Sequence, residues 1–93
     1  MPTYTRWFEQ LRDDRAKARV LARVRRLALG NFGDTKSVGG GVSEIRVDYG
    51  AGYRIYFTRR GSALVLLLSG GDKSHQRADI AKARQLAAQW EDE

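Results

Sequence analysis

The 93-residue chain has no cysteine and a single histidine. The first absence excludes disulfides and thiolate chemistry. Together they leave too few nitrogen and sulfur ligands for a zinc site, so neither a metal nor another cofactor is expected. Long apolar runs are missing as well. The longest, Ala63 to Leu68, is strand-sized, whereas a membrane span needs about 20 apolar residues. The opening MPTYTRWFEQ has no basic stretch followed by an apolar one, so no secretion signal is expected and the cytoplasm is the expected location. Acidic residues are also scarce. Eleven Asp and Glu face 17 Lys and Arg, a net charge of +6 and a pI near 10.2. Such a balance favours polyanionic partners, nucleic acid and the ribosome among them.

What is present suits one globular domain over residues 1–93, with 42% hydrophobic and 30% charged residues. Tyr4, Trp7, Phe8 and Leu11 recur at i, i+3, i+4, i+7 and mark one face of a helix. Asp13 is the expected N-cap of a second helix over about 14–29, stopped by Gly30. Its apolar stripe is Ala16, Val20, Val24 and Leu27. Arg12, Arg15, Arg19, Arg23 and Arg26 form a ridge beside that stripe. Residues 34–41 are turn-rich and receive no element.

The period then changes to two. Ile45, Val47 and Tyr49 alternate with Glu44, Arg46 and Asp48. After Gly50-Ala51-Gly52, Tyr53, Ile55 and Phe57 alternate with Arg54, Tyr56 and Thr58. This predicts a hairpin with a three-residue loop. Pairing Tyr49 with Tyr53 sets Val47 opposite Ile55, Ile45 opposite Phe57, Asp48 opposite Arg54 and Arg46 opposite Tyr56. Arg59 to Ser62 reads as a turn. Ala63 to Leu68 is apolar on both faces and is expected to be a central strand covered on both sides, ended by Gly70-Gly71. Ser74 is a possible N-cap for a last helix over about 75–91. The expected fold is α+β, a helical hairpin followed by a small curved antiparallel sheet of three or more strands and a C-terminal helix, in the order α-α-β-β-β-α.

If the third strand runs antiparallel to the second, Lys73 and His75 arrive beside Arg54, Tyr56 and Arg46. GGDKS lacks the Walker spacing of a phosphate loop. A cationic and phenolic cluster suits a phosphodiester. Arginine gives planar bidentate contacts to phosphate oxygens and lysine a point charge. In RNA a 2′-hydroxyl that loses its proton to a base can attack the phosphorus while cations hold the growing charge. Each residue also has a structural role open to it. Arg54 could simply pair with Asp48, Tyr56 could be a half-buried strand aromatic, and Lys73, His75 and the ridge could be solvated surface. Trp7 and Trp90 suit a core.

The stretches "LALGNFGD", "VSEIRVDYGAGYRIYF" and "GGDKSHQRADI" resemble the addiction-module killer proteins of the RelE/ParE toxin superfamily, HigB-like branch, over about 11–90. The resemblance implies a toxin of a type II toxin–antitoxin module with a RelE-like fold. The implied activity is metal-independent, ribosome-dependent mRNA cleavage that inhibits translation. The implied partners are a cognate antitoxin of helix-turn-helix type, the ribosome and mRNA, with operator DNA reached only through the antitoxin. On this analogy Arg46 and Arg54 hold the phosphate, Lys73 assists deprotonation or neutralises charge, and Tyr56 orients or stacks on substrate. His75 completes the catalytic candidates, although it fills a variable slot of the GGDKSxQ pattern. Arg15, Arg19, Arg23 and Arg26 become candidate RNA- and ribosome-binding residues. The superfamily usually opens with a β-strand, for which MPTYT is short. Two other readings stay open: a ParE-like DNA gyrase inhibitor, and a non-catalytic basic nucleic-acid-binding domain.

Overall fold

The computed structural model describes residues 2–61 and 64–91. Its elements are helix α1 (Pro2–Gln10), helix α2 (Asp14–Ala28), strands β1 (Thr35–Gly39), β2 (Val42–Val47), β3 (Tyr53–Arg60) and β4 (Leu64–Gly71), a single 3-10 turn (Lys73–His75) and helix α3 (Gln76–Glu91). The strands form one antiparallel sheet in the order β1-β2-β3-β4. The α+β class holds, and the sheet has one strand more than the sequence pattern assigns. No strand precedes α1 among the described residues.

Both N-terminal helices begin and end for local reasons. Pro2 is tolerated at the first position of α1, where its missing amide would have had no helical partner. Asp13 caps α2, its Oδ1 accepting from the backbone N–H of Arg15 at 2.9 Å and of Ala16 at 3.3 Å. At the far end Gly30 takes φ +87. The N–H of Gly30 then bonds Leu27 O at 3.0 Å and that of Asn31 bonds Arg26 O at 2.9 Å, the two bonds of a Schellman stop.

Four expectations are corrected. The turn-rich segment contains β1, a short edge strand with three exposed residues among its five. Its weak pattern hides it, since an edge strand needs few apolar side chains. Second, the hairpin pairs Val47 with Tyr53, Ile45 with Ile55, Arg46 with Arg54 and Glu44 with Tyr56. The register is two residues from the expected one, so Asp48 does not face Arg54. Tyr49 leaves the ladder and donates its hydroxyl to Asp13 Oδ2 at 3.0 Å, which widens the loop to residues 48–52. A shift of two keeps every side chain on its expected face. Third, β4 lies at the sheet edge rather than at its centre. The cover expected on both faces is there: Val65 and Leu67 pack on the α1/α2 side, Leu66 and Leu68 on the α3 side. Fourth, the side chain that caps the last helical segment belongs to Asp72, which accepts from Ser74 N–H at 2.9 Å. β3 also runs on through Arg59 and Arg60; Ser62 and Ala63, expected in a turn and a strand start, lie outside the described residues.

Gly70 and Gly71 continue β4 rather than ending it. A Cβ on Gly70 would overlap the Trp7 ring, and one on Gly71 would overlap the Asp79 carboxylate. The pair lets α1 and α3 press on opposite faces of one strand end. The result is a layered molecule. Val20 and Leu27 of α2 pack with Ile45, Val47, Ile55 and Phe57 on one face, and Ala83 and Ala87 of α3 pack with Val42, Tyr56 and Leu68 on the other.

Candidate functional site

The α3 face of the sheet is not purely apolar. Glu44, Arg54, Thr58 and Ser69 are buried there together with Tyr56. Glu44 organises them. Its Oε1 lies 3.3 Å from Arg54 Nε and 3.6 Å from Arg46 Nε, and its Oε2 accepts from Gln76 Nε2 at 2.9 Å. The Arg54 contact is one of charge, without an aligned hydrogen bond. A buried carboxylate alone would cost several kcal/mol; two guanidinium groups and an amide offset that cost. Both arginines turn the Nε edge to the same oxygen, so their terminal nitrogens remain for other contacts. Arg54 Nη1 uses one on the Gly52 carbonyl at 3.2 Å.

These arginines open on a cleft of about 280 Å³ lined by Asp34, Arg46, Val47, Asp48, Gly52, Tyr53, Arg54 and Lys73. The β3–β4 ladder brings Lys73 there by pairing Arg54 with Gly71, two residues before it. Gly52 lets it come close, since a Cβ at Gly52 would stand 3.3 Å from Lys73 Cβ. The Lys73 N–H also reaches the Ala51 carbonyl at 3.4 Å. So Arg46, Arg54 and Lys73 share one cleft. Their charge is matched by Asp34, Asp48 and the buried Glu44. The positive excess of this region comes from beside the cleft, where Arg19, Arg23 and Arg26 of α2 line a second depression with Ala22, Val47 and Asp48.

The other candidates fall elsewhere. Tyr56 is 0% exposed and its hydroxyl has no hydrogen-bond partner among the described residues. Burial, then the Glu44 and Asp79 carboxylates, push that hydroxyl well above the ordinary tyrosine range. It does not line the cleft, so its ring cannot stack on a ligand there without a rearrangement. His75 lines a different depression, with Trp7, Tyr53, Gly70, Asp72 and Asp79. Its Nδ1 is 3.1 Å from Asp72 Oδ1 and 2.9 Å from Ser74 Oγ. The Ser74 hydroxyl, donating at 2.6 Å, holds Asp72 below the ordinary carboxylate range. Arg15 is exposed and lines neither cleft.

Glu44 and Asp34 were not singled out in the sequence as parts of the site; Asp48 stood there only as a strand partner of Arg54, and Gln76 only as the closing residue of the GGDKSxQ pattern. Glu44 left one signal, a carboxylate two positions from Arg46 and so on the same strand face. The Asp34 side of the cleft left none, because that residue lies in the segment without an assigned element. No cluster of His, Asp or Glu among the described residues has the arrangement to hold a metal ion.

Fold and cleft together define a small basic α+β domain with a cleft of paired cations and carboxylates, flanked by an arginine-lined depression, at one end of a four-stranded sheet. The family model described as "Phage derived protein Gp49-like (DUF891)" matches residues 6–89, and the chain belongs to this Gp49-like family of phage-derived proteins. A protein of Haemophilus influenzae (strain Rd), described as "Uncharacterized protein", is 51% identical over 85 residues, covering 91% of this chain and 86% of the relative. No solved structure matches the chain. No helix among the described residues is long and apolar enough to cross a membrane.

Proposed function

We propose that this protein is the toxin of a type II toxin–antitoxin module and cleaves mRNA on the ribosome without a metal ion. The observation that carries the reading is the shared anchoring of Arg46 and Arg54 on Glu44, which leaves the outer ends of both guanidinium groups beside Lys73 in one cleft. Family membership and the resemblance to HigB-like killer proteins support it. In the proposed reaction a 2′-hydroxyl gives up its proton to solvent hydroxide, O2′ bonds to the phosphorus as the bond to the 5′-oxygen breaks, and the 5′-oxygen takes a proton from water, which restores the hydroxide. A 2′,3′-cyclic phosphate and a 5′-hydroxyl result. Arg46 and Arg54 hold the non-bridging oxygens and Lys73 balances the charge gathering on them. Tyr56 acts from beneath, as packing under Arg54, and His75 takes no direct part. The proposed partners are mRNA, the ribosome and a helix-turn-helix antitoxin through which operator DNA is reached, in the cytoplasm.

Lys73 is the residue to test, because it is exposed and its truncation should move stability by no more than about 0.5 kcal/mol. The protein and its Lys73→Ala variant are induced in cells, and mRNA 5′ ends are mapped by primer extension. New ends inside translated codons with the parent protein, reduced by about 10²–10³ in the variant, are the expected result. Growth arrest without new ends would overturn the nuclease and point to a protein target of the gyrase-inhibitor kind. Neither arrest nor new ends would leave a basic binding domain without toxicity.

A further inference from the structure

The depression on α2 has features of a built site. Arg19 lies over the Tyr49 ring, 4.9 Å from its centroid. Tyr49 is fixed in turn by its hydrogen bond to Asp13, whose other oxygen caps the same helix. Arg19 is therefore positioned from the start of α2 through the β2–β3 loop. One turn further on, Arg23 Nη2 is buried with no hydrogen-bond partner among the described residues. It packs beside Gly33, where a Cβ would stand 3.3 Å from that nitrogen. A buried unpaired donor is costly, and the partly exposed Arg23 side chain can remove that cost by turning its guanidinium to an anionic oxygen in the depression. Arg26 completes the set, and Asp48 is the one carboxylate in the lining.

The two clefts are neighbours. Val47 and Asp48 line both. Each holds three cationic side chains, in volumes of about 280 and 240 Å³. Depressions of this size can take the backbone of a single strand. Along such a strand, consecutive phosphates are separated by one ribose. A carboxylate would repel either phosphate, yet it accepts a hydrogen bond from a ribose 2′-hydroxyl, and Asp48 lies where the subsites meet.

We propose that the clefts are successive phosphate subsites for one RNA strand, with Arg46, Arg54 and Lys73 on one phosphate, Arg19, Arg23 and Arg26 on the next, and Asp48 on the ribose between. This rests on the nucleic-acid reading above. It assigns the arginine ridge to the strand being held rather than to general charge attraction.

The test measures binding by the full-length protein, by NMR titration without ribosomes, of UpU (one phosphate), UpUpU (two phosphates) and dUpdUpdU. UpUpU should bind more tightly than UpU, and its affinity should fall with salt on a log–log slope steeper by about 0.7, the single-strand value for one more phosphate. In Arg23→Ala/Arg26→Ala the trinucleotide-to-dinucleotide affinity ratio should drop to about one, by the loss of that phosphate contact. The ribose trinucleotide should be preferred over the deoxyribose one by the parent protein, and equally bound by Asp48→Ala. UpU binding with no gain for UpUpU, or a gain that survives the double arginine variant, overturns the second subsite and leaves the first standing. A ribose preference that survives Asp48→Ala overturns the proposal at the ribose. Failure of every probe to bind overturns both subsites, while the nuclease reading stands or falls separately on the mapping of mRNA 5′ ends.

Discussion

The two faces of the sheet are built from the same strands and do different things. The face under α1 and α2 is apolar at its centre: Ile45, Val47, Ile55 and Phe57 meet Val20 and Leu27, with Trp7 and Phe32 packed around them. The face under α3 buries Glu44, Arg54, Tyr56 and Ser69 among Val42, Leu68 and two alanines. β2 and β3 alternate, so one face receives residues that hold the sheet together and the other those that shape the cleft. Alternation of polar and apolar residues is usually read as one wet face. Here the polar face is covered by a helix, and its polarity is a structured layer.

The contrast can be broken from either side. The largest effects come from the centre of each layer. Phe57→Ala should lose about 3–5 kcal/mol of stability, while whatever folds keeps the arrangement of the cleft. Glu44→Leu should lose a comparable amount, about 3–5 kcal/mol, because Arg54 is left buried with its counter-charge gone. Urea unfolding measures both. The double variant Glu44→Leu/Arg54→Met then separates the faces. Replacing a buried ion pair by apolar groups of similar size is often neutral or stabilising by about 1–4 kcal/mol, so stability should return while binding of UpU does not. A double variant as unstable as Glu44→Leu would show that the polar layer holds the fold as the apolar one does.

The smallest effect sharpens the comparison through pH. Burial raises the Asp79 carboxyl above its ordinary value of 3.8, and its Oδ2 is buried with no hydrogen-bond partner among the described residues. The folded protein thus binds this proton more tightly than the unfolded chain. The stabilising contribution is full below pH 3.8 and is lost as pH rises through the raised folded value. Asp79→Asn should therefore melt at a higher temperature than the parent at pH 7, with the gap closing as pH falls toward 3.8. Asp13 behaves oppositely. The hydrogen bond from the Tyr49 hydroxyl lowers its carboxyl below the ordinary range, so its contribution is present above the ordinary value and fades as pH falls through the lowered one.

Local signals were legible where a side chain acts on its own segment. Asp13 and Gly30 bound α2 because capping and left-handed backbone depend on nearest neighbours. The 3.6 and 2.0 periods located both helix faces and both hairpin strands. The convergence of Arg46, Arg54 and Lys73 was also legible, because it needs only an antiparallel β3–β4 pair and a strand of known direction. The edge strand β1 was not, since it is polar and short. Nor was the hairpin register, which Tyr49 alters by bonding a residue 36 positions away.

The sequence by itself determined the elements other than β1, the face on which each hairpin side chain lies and the net positive charge, because these follow from spacing and composition. Tertiary structure decided what those faces meet. It laid α3 over the polar one, buried Tyr56 away from any ligand, and set His75 in a separate depression. It also joined two arginines to one carboxylate and placed Arg19, Arg23 and Arg26 of α2 in a second depression that shares Val47 and Asp48 with their cleft. These depend on which elements touch, and burial converts a polar side chain from solvated surface into a constrained group whose partners must be supplied by other segments.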